Sequence, residues 1–226
     1  MTASHLRLLA FATALPLAAA CGGDDDVAGP VDGESGDGTG ALLVRAHIDS
    51  DEGGAEIEVS VERDGQDVTD AEVVIGTDGA DVVLDWDGEE GRYRGFDGEW
   101  SGWYSIEVTA GDDWLDGGLE APDRPTLIAP DPSEAFDPHQ AEDGVVVVTW
   151  DGDLAMSVRV KTKDFEWSGA DEGGLEIPAV MFEDEEQEIE IDRENEIDLA
   201  GGAPGSALSV ETGAKARLIV LNPYND

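Results

Sequence analysis

Three stretches of this chain carry side chains whose types and spacing suit chemistry. In "DWDGEEG", Asp85, Asp87 and Glu89 stand at alternate positions around a turn. Hard oxygen ligands suit calcium, which takes about six to eight of them. The Asp87-Gly88 pair also spells a plain hairpin turn, the commoner meaning of such a dipeptide. The full spacing of an EF-hand loop is not met. In "EWSGWY", Trp100 and Trp103 could stack on a sugar or anchor a protein partner. Large aromatics more often bury, so packing of Trp103 under a loop is the competing expectation. In "RVKTK", Arg159, Lys161 and Lys163 share one face of a strand, and "EIEID" presents Glu188, Glu190 and Asp192 with the same period. Opposite charges across neighbouring strands attract by a few tenths to about 1 kcal/mol, so a solvated charge ladder between these two segments is expected.

Catalytic signatures are missing from the sequence. It contains no His-Glu-x-x-His, no Gly-x-Ser-x-Gly and no phosphate-cradling glycine loop. A nucleophile needs an oriented base beside it. Beyond the leader the histidines are His47 and His139, and His47 sits in a strand pattern with no serine signature near it in sequence. Pairs of carboxylates suited to glycoside hydrolysis carry no information here, because 54 acidic residues offer too many of them. The expectation is a protein with no catalytic residues and no cofactor, calcium being the one metal the acids suggest.

The elements that position these residues read as strands. Leu42, Val44, Ala46 and Ile48 alternate on one face, as do Ile57, Val59 and Val61, with Glu56, Glu58, Ser60 and Glu62 between and beside them. Such a period of two marks half-buried antiparallel strands. "DG" and "GG" pairs punctuate the later strands as hairpin turns do. The segment "APDRPTLIAPDPSEAFDP" holds Pro122, Pro125, Pro130, Pro132 and Pro138, half of the ten prolines, and no central strand tolerates that density. It reads as a junction between two units, each near the roughly 100 residues of an immunoglobulin-like sandwich.

Charge narrows the partners. The formal net charge is −42, a field that repels phosphate backbones, so nucleic acid is excluded. Solvation of the surface, as in proteins from saline habitats, accounts for it more simply than a specific cation site. Six tryptophans and the alternating aliphatics supply core material, so the chain is not a disordered one.

The amino terminus adds location. Arg7 precedes an apolar run from Leu8 to Ala20, interrupted by Thr13 and Pro16. This has the layout of a secretory signal and is shorter than the roughly 20 apolar residues of a spanning helix. Cys21, the only cysteine, follows Ala18, Ala19 and Ala20 directly. "LAAACG" resembles the processing site of a bacterial lipoprotein precursor, although Ala18 stands where that family usually has leucine. The resemblance implies a diacylglycerol thioether on Cys21, cleavage before it and acylation of the new amino terminus. Gly22 in place of aspartate implies, by the same resemblance, the outer membrane of a Gram-negative cell, facing periplasm or exterior. From Gly22 to Gly40 the chain is nearly all Gly, Asp, Ser, Glu and Pro, a flexible tether with a reach of roughly 25 Å.

Two further resemblances concern the fold. "GWYSIEV" looks like the Gly-x-Tyr strand of immunoglobulin-like or transthyretin-like bacterial modules, with Tyr104 closing a corner. "GVVVVTW" followed by "MSVRVKT" looks like early strands of a fibronectin type III-like domain, with Trp150 in its core. The expected organisation is a signal peptide at 1–20, a tether at 21–40, sandwich modules at 41–121 and 139–226, and a proline-rich junction at 122–138. The fold class is all-β, with two immunoglobulin-like antiparallel sandwiches. The expected role is a lipid-anchored envelope lipoprotein with a non-enzymatic binding, adhesion or structural function, held to the membrane through Cys21 and meeting a protein or carbohydrate partner. An extracytoplasmic carbohydrate hydrolase and a calcium-stabilised spacer are the alternatives.

Overall fold

The computed structural model describes residues 38–51, 53–152, 155–182 and 186–221. The leader, Cys21 and the tether up to residue 37 lie outside the described residues. Alternation of apolar and polar side chains sets the architecture, which is all-β and sandwich-like. The first nine strands are β1 (Leu42–Asp51), β2 (Gly54–Arg63), β3 (Gln66–Asp67), β4 (Glu72–Thr77), β5 (Val82–Val83), β6 (Asp85–Asp87), β7 (Arg92–Asp97), β8 (Trp103–Ala110) and β9 (Asp113–Glu120). After the proline-rich segment come β10 (Thr126–Ala129), β11 (Ala135–Phe136), β12 (Val145–Asp151), β13 (Ser157–Lys161), β14 (Glu166–Gly169), β15 (Gly174–Pro178), β16 (Glu186–Asp198) and β17 (Ala207–Val220). No helix among the described residues is long and apolar enough to cross a membrane.

Turn chemistry places the hairpins where the sequence marks them. Asp64-Gly65 forms the two-residue loop between Arg63 and its partner Gln66, and "DGEEG" turns β6 back into β7 through the Asp87↔Arg92 pair. In β1 and β2 the apolar residues face each other across the ladder, Val44 against Val61 and Ile48 against Ile57. All four are buried.

The strands assemble into three sheets. One has ten strands along the path β14-β13-β16-β17-β1-β2-β7-β6, with β11 added to β17 and β3 to β2. A four-stranded sheet, β5-β4-β8-β9, and a three-stranded sheet, β10-β12-β15, are separate from it. The smaller sheets cover one half each of the large one, and two apolar cores result. The first joins Val73, Ile75, Tyr104, Ile106 and Leu115 to Ile57, Val59, Leu208 and Val210. The second joins Val146, Val148, Trp150 and Ile177 to Val158, Ile189, Ile191 and Leu218.

The long hairpin β16–β17 belongs to both cores. Its strands stay in one unbroken antiparallel register, from Glu186↔Ile219 to Asp198↔Ala207. Its Ala207–Thr212 end pairs in parallel with β1, and its far end pairs in parallel with β11. The fourteen residues of β17 span roughly 45 Å at about 3.3 Å per residue. The first core thus draws Leu199, Leu208 and Val210 from the carboxyl-terminal part of the chain, across the proline-rich junction.

Between the cores the inner face of this hairpin turns polar. Along β16 the inward positions read Ile189, Ile191, Arg193, Asn195, Ile197, so the alternation continues while the chemistry changes. Arg193 and Asp171 side chains are both 0% exposed, with Arg193 Nε 2.7 Å from Asp171 Oδ2. Asp171 also accepts from Trp150 Nε1 at 3.0 Å, the Gly173 amide at 3.0 Å and the Ala155 amide at 3.2 Å. The guanidinium donates in turn to the Asp123 carbonyl at 3.2 Å and the Gly152 carbonyl at 3.4 Å. Thr212 Oγ1 donates to the Pro122 carbonyl at 3.1 Å, and Asn195 Nδ2 to the Glu120 carbonyl at 3.1 Å. The junction backbone from Glu120 to Asp123 is therefore tied to the hairpin at the Glu120, Pro122 and Asp123 carbonyls. Gly152 has φ +110°, and a Cβ there would collide with Arg193 Nη1. No other residue fits beside the guanidinium.

Removing one partner of a buried pair leaves the other charge uncompensated, at a cost of about 3–5 kcal/mol. Arg193→Met should lower stability by about that amount in urea titrations, and adding Asp171→Asn should restore part of the loss. A single Arg193→Met protein as stable as the parent would show that the pair does not hold the junction.

Candidate functional site

The residues of "EWSGWY" separate on folding. Tyr104 is fully buried, and its hydroxyl accepts from the Ser101 amide at 3.1 Å. Ser101 Oγ donates to the Trp103 carbonyl at 2.7 Å and accepts from the Asp78 amide at 2.9 Å. Asp78 Oδ2 accepts from the Gly102 amide at 2.9 Å, while the Gly102 carbonyl accepts from the Ala121 amide at 3.0 Å. This web fixes the loop that ends in β8. Burial raises the Tyr104 hydroxyl above the ordinary tyrosine value, with the Ser101 amide opposing, so the phenol stays neutral and keeps its role as a corner.

The two tryptophans then take different roles. Trp103 lies half-buried on the outer face of the four-stranded sheet, its indole across Gly118, where any Cβ would collide with the ring. Trp103 is therefore packed, but against a neighbouring strand rather than under a loop. Trp100 is 44% exposed. It forms one wall of a recess of about 380 Å³ whose other lining residues are Asp123, Arg124, Thr126, Asp151 and Gly152. Asp151 Oδ1 accepts from the Thr126 amide at 3.1 Å. The Arg124 Nε is buried and makes no hydrogen bond. Three parts of the chain meet here: the Tyr104-braced loop, the proline-rich junction and the end of β12. All three are held by bonds to buried groups.

A second concavity lies on the solvent side of the large sheet. Asp49, Asp51, Glu190, Asp192 and Glu211 surround Gly213 in a recess of about 460 Å³, with Arg159 and Lys215 among them. Two rungs of the expected charge ladder are present at this point. Arg159 pairs in register with Asp192 and Lys161 with Glu190, at 2.8 Å and 3.9 Å. Lys215 of β17 adds a 2.9 Å contact to Glu190. The Lys215 hydrogen bond holds Glu190 below its ordinary value. Burial raises Asp192 and Glu211, and repulsion from Asp192 adds to the rise at Glu211.

The acids of "DWDGEEG" act as turn residues. Asp87 Oδ1 accepts from the Glu89 amide at 2.8 Å and the Glu90 amide at 3.2 Å, which lowers its pKa. Among the described residues no three His, Cys, Asp or Glu side chains form a group fit for a metal ion, so Asp85, Asp87 and Glu89 do not converge on one. His47 Nδ1 lies 2.9 Å from Ser209 Oγ, its in-register neighbour on β17. Local sequence gave no sign of this pair because the two strands are 162 positions apart. Cys21 falls outside the described residues. Arg124, Asp171 and Arg193 were not anticipated as structural or binding residues. The one available signal was the continued period of two through "IDRENEI", which puts an arginine at an inward position.

No protein-family model matches the chain, and no curated protein matches its sequence.

Glu211 gives a pH test. Because its folded pKa lies above the ordinary value of 4.5, the native state binds the proton more tightly than the unfolded one. Stability then falls as pH rises through that interval. At pH 7 the ionised side chain is a net cost. Glu211→Gln should melt higher than the parent at neutral pH, and the gap should narrow as the pH falls through the carboxylate range. A gap that widens on acidification would mean that Glu211 is held mainly by Arg159.

Proposed function

We propose that this chain is a lipid-anchored protein of the bacterial envelope with a non-enzymatic binding role, its recognition surface being the recess at the junction of the two cores. The anchor reading rests on the leader and on Cys21 with the small residues before it. The exposed Trp100 on a loop locked by Tyr104 is the observation that carries the binding reading. An indole left 44% exposed, although its own loop is braced by buried hydrogen bonds, is the kind of rigid, amphipathic anchor that dominates recognition surfaces. The recess volume of about 380 Å³ lies within the usual range for small-ligand sites, roughly 300–1,000 Å³. The ties from Arg193 and Thr212 to the junction carbonyls mean that little ordering is needed on binding, which favours affinity.

The anchor is tested by detergent phase partitioning of cells that make the native chain or its Cys21→Ser form. The native protein should enter the detergent phase and the variant the aqueous phase. Aqueous partitioning of both would refute the anchor and leave an ordinary secreted protein. The recess is tested separately, since Trp100→Ala should abolish binding while leaving the melting temperature within a few degrees of the parent.

A further inference from the structure

The recess contains an anomaly of charge. In a chain with 54 acidic residues, almost every described cation sits against a carboxylate: Arg45 on Glu62, Arg63 on Asp113, Arg92 on Glu58, Arg94 on Glu56, Arg159 on Asp192, Arg193 on Asp171. Arg124 differs. Among the described residues no carboxylate comes within ion-pair distance of it, while its buried Nε makes no hydrogen bond, as is also true of Arg63 and Arg193. Arg124 lines the same recess as the exposed Trp100 indole.

We infer that the recess binds a sugar ring bearing one carboxylate, a terminal uronic-acid-like residue, with Arg124 on the carboxylate and Trp100 against the ring face. This rests on the reading of the recess as the recognition surface. Each part of the lining selects a feature of that ligand. Arg124 offers a planar fork of donors that matches a carboxylate in two parallel bonds. Trp100 offers a flat apolar face for the C–H side of a pyranose. Asp151 keeps an acceptor oxygen beyond the one used by the Thr126 amide. Acceptors of this kind want donors, which sugar hydroxyls supply and a second anionic group would not. Charge on the whole chain works against any anion, and most strongly against a multiply charged one. A field of −42 penalises each further negative charge on the ligand, which favours a single carboxylate over a phosphate or diphosphate. A peptide carboxyl terminus would satisfy Arg124 but brings fewer donors for the acidic wall.

The test uses the Cys21→Ser chain, titrated by ligand-observed NMR with the methyl glycosides of glucuronate and galacturonate. The neutral methyl glucoside and galactoside and a tripeptide with a free carboxylate serve as comparators. At least one uronate should bind more tightly than its neutral counterpart. Arg124→Met should weaken that binding roughly 10- to 100-fold, Arg124→Lys should recover part of it, and Trp100→Ala should abolish it. Equal binding of neutral and acidic sugars with a silent Arg124→Met would overturn the ligand class while the recess stands. Uronate binding unaffected by Trp100→Ala would overturn the recess itself. Binding of the tripeptide alone, or of none of these probes at millimolar concentration, would reject the acidic sugar.

Discussion

The buried pair of Arg193 and Asp171 sets the terms for the rest of the molecule. A charge without water has to be answered by geometry, and here each group gathers its partners from distant parts of the chain. Asp171 takes donors from β12, from the segment after it and from its own loop, while Arg193 reaches one carbonyl just after β12 and one on the junction. Such a pair contributes little net stability compared with a well-packed apolar cluster. Its effect is on register. If β16 slipped by two residues, Ile191 or Asn195 would face Asp171 and the carboxylate would lose its cation. The two cores are thereby joined at one fixed offset by a polar waist.

The same economy governs the outer face of the large sheet. Arginines and lysines are few, and the strands make them shared partners: Arg94 reaches both Glu56 and Glu58, Arg159 both Asp192 and Glu211, while Lys161 and Lys215 flank Glu190. Exposed pairs of this kind contribute only about 0–1 kcal/mol each. Together they decide where the surplus negative charge resides, since the acids left over are spread on turns and edges. Salt shortens the range of the remaining repulsion to about 8 Å at physiological strength and about 3 Å at 1 M. Strong acidity is tolerable in a protein built in this way.

Much of this could be read from the chain before folding was considered. The period of two in β1, β2, β8 and β12, the inward Tyr104 and Trp150, and the pairing of "RVKTK" with "EIEID" all follow from local pattern, because a strand's two faces are written in alternate residues. Other features depend on partners far away in sequence. Nothing in "ALSVETGAKARLIV" reveals that one strand serves two cores, since its inner face is apolar or small throughout and the change of covering sheet leaves no mark. Arg193 looks like a surface arginine because its neighbours Asp192 and Glu194 are acidic, and its burial follows only from Asp171 across the core. Arg124 lies in a proline-rich stretch that reads as connector, and its lack of a counter-ion is a fact of position. The packing of Trp103 turns on Gly118, on the next strand, whose missing side chain leaves room for the indole.

The parallel pairing of β1 with β17 has a mechanical meaning. The first strand enters at Leu42 and the last leaves at Val220, running side by side in the same direction through the six register pairs from Arg45↔Ala207 to Ser50↔Thr212. A pull that separates the two ends of the chain therefore acts along these strands. It loads their evenly spaced bonds in shear, all at once, whereas a hairpin pulled at its open end would unzip one bond at a time. Tension on the described chain is therefore carried in shear at the seam between β1 and β17.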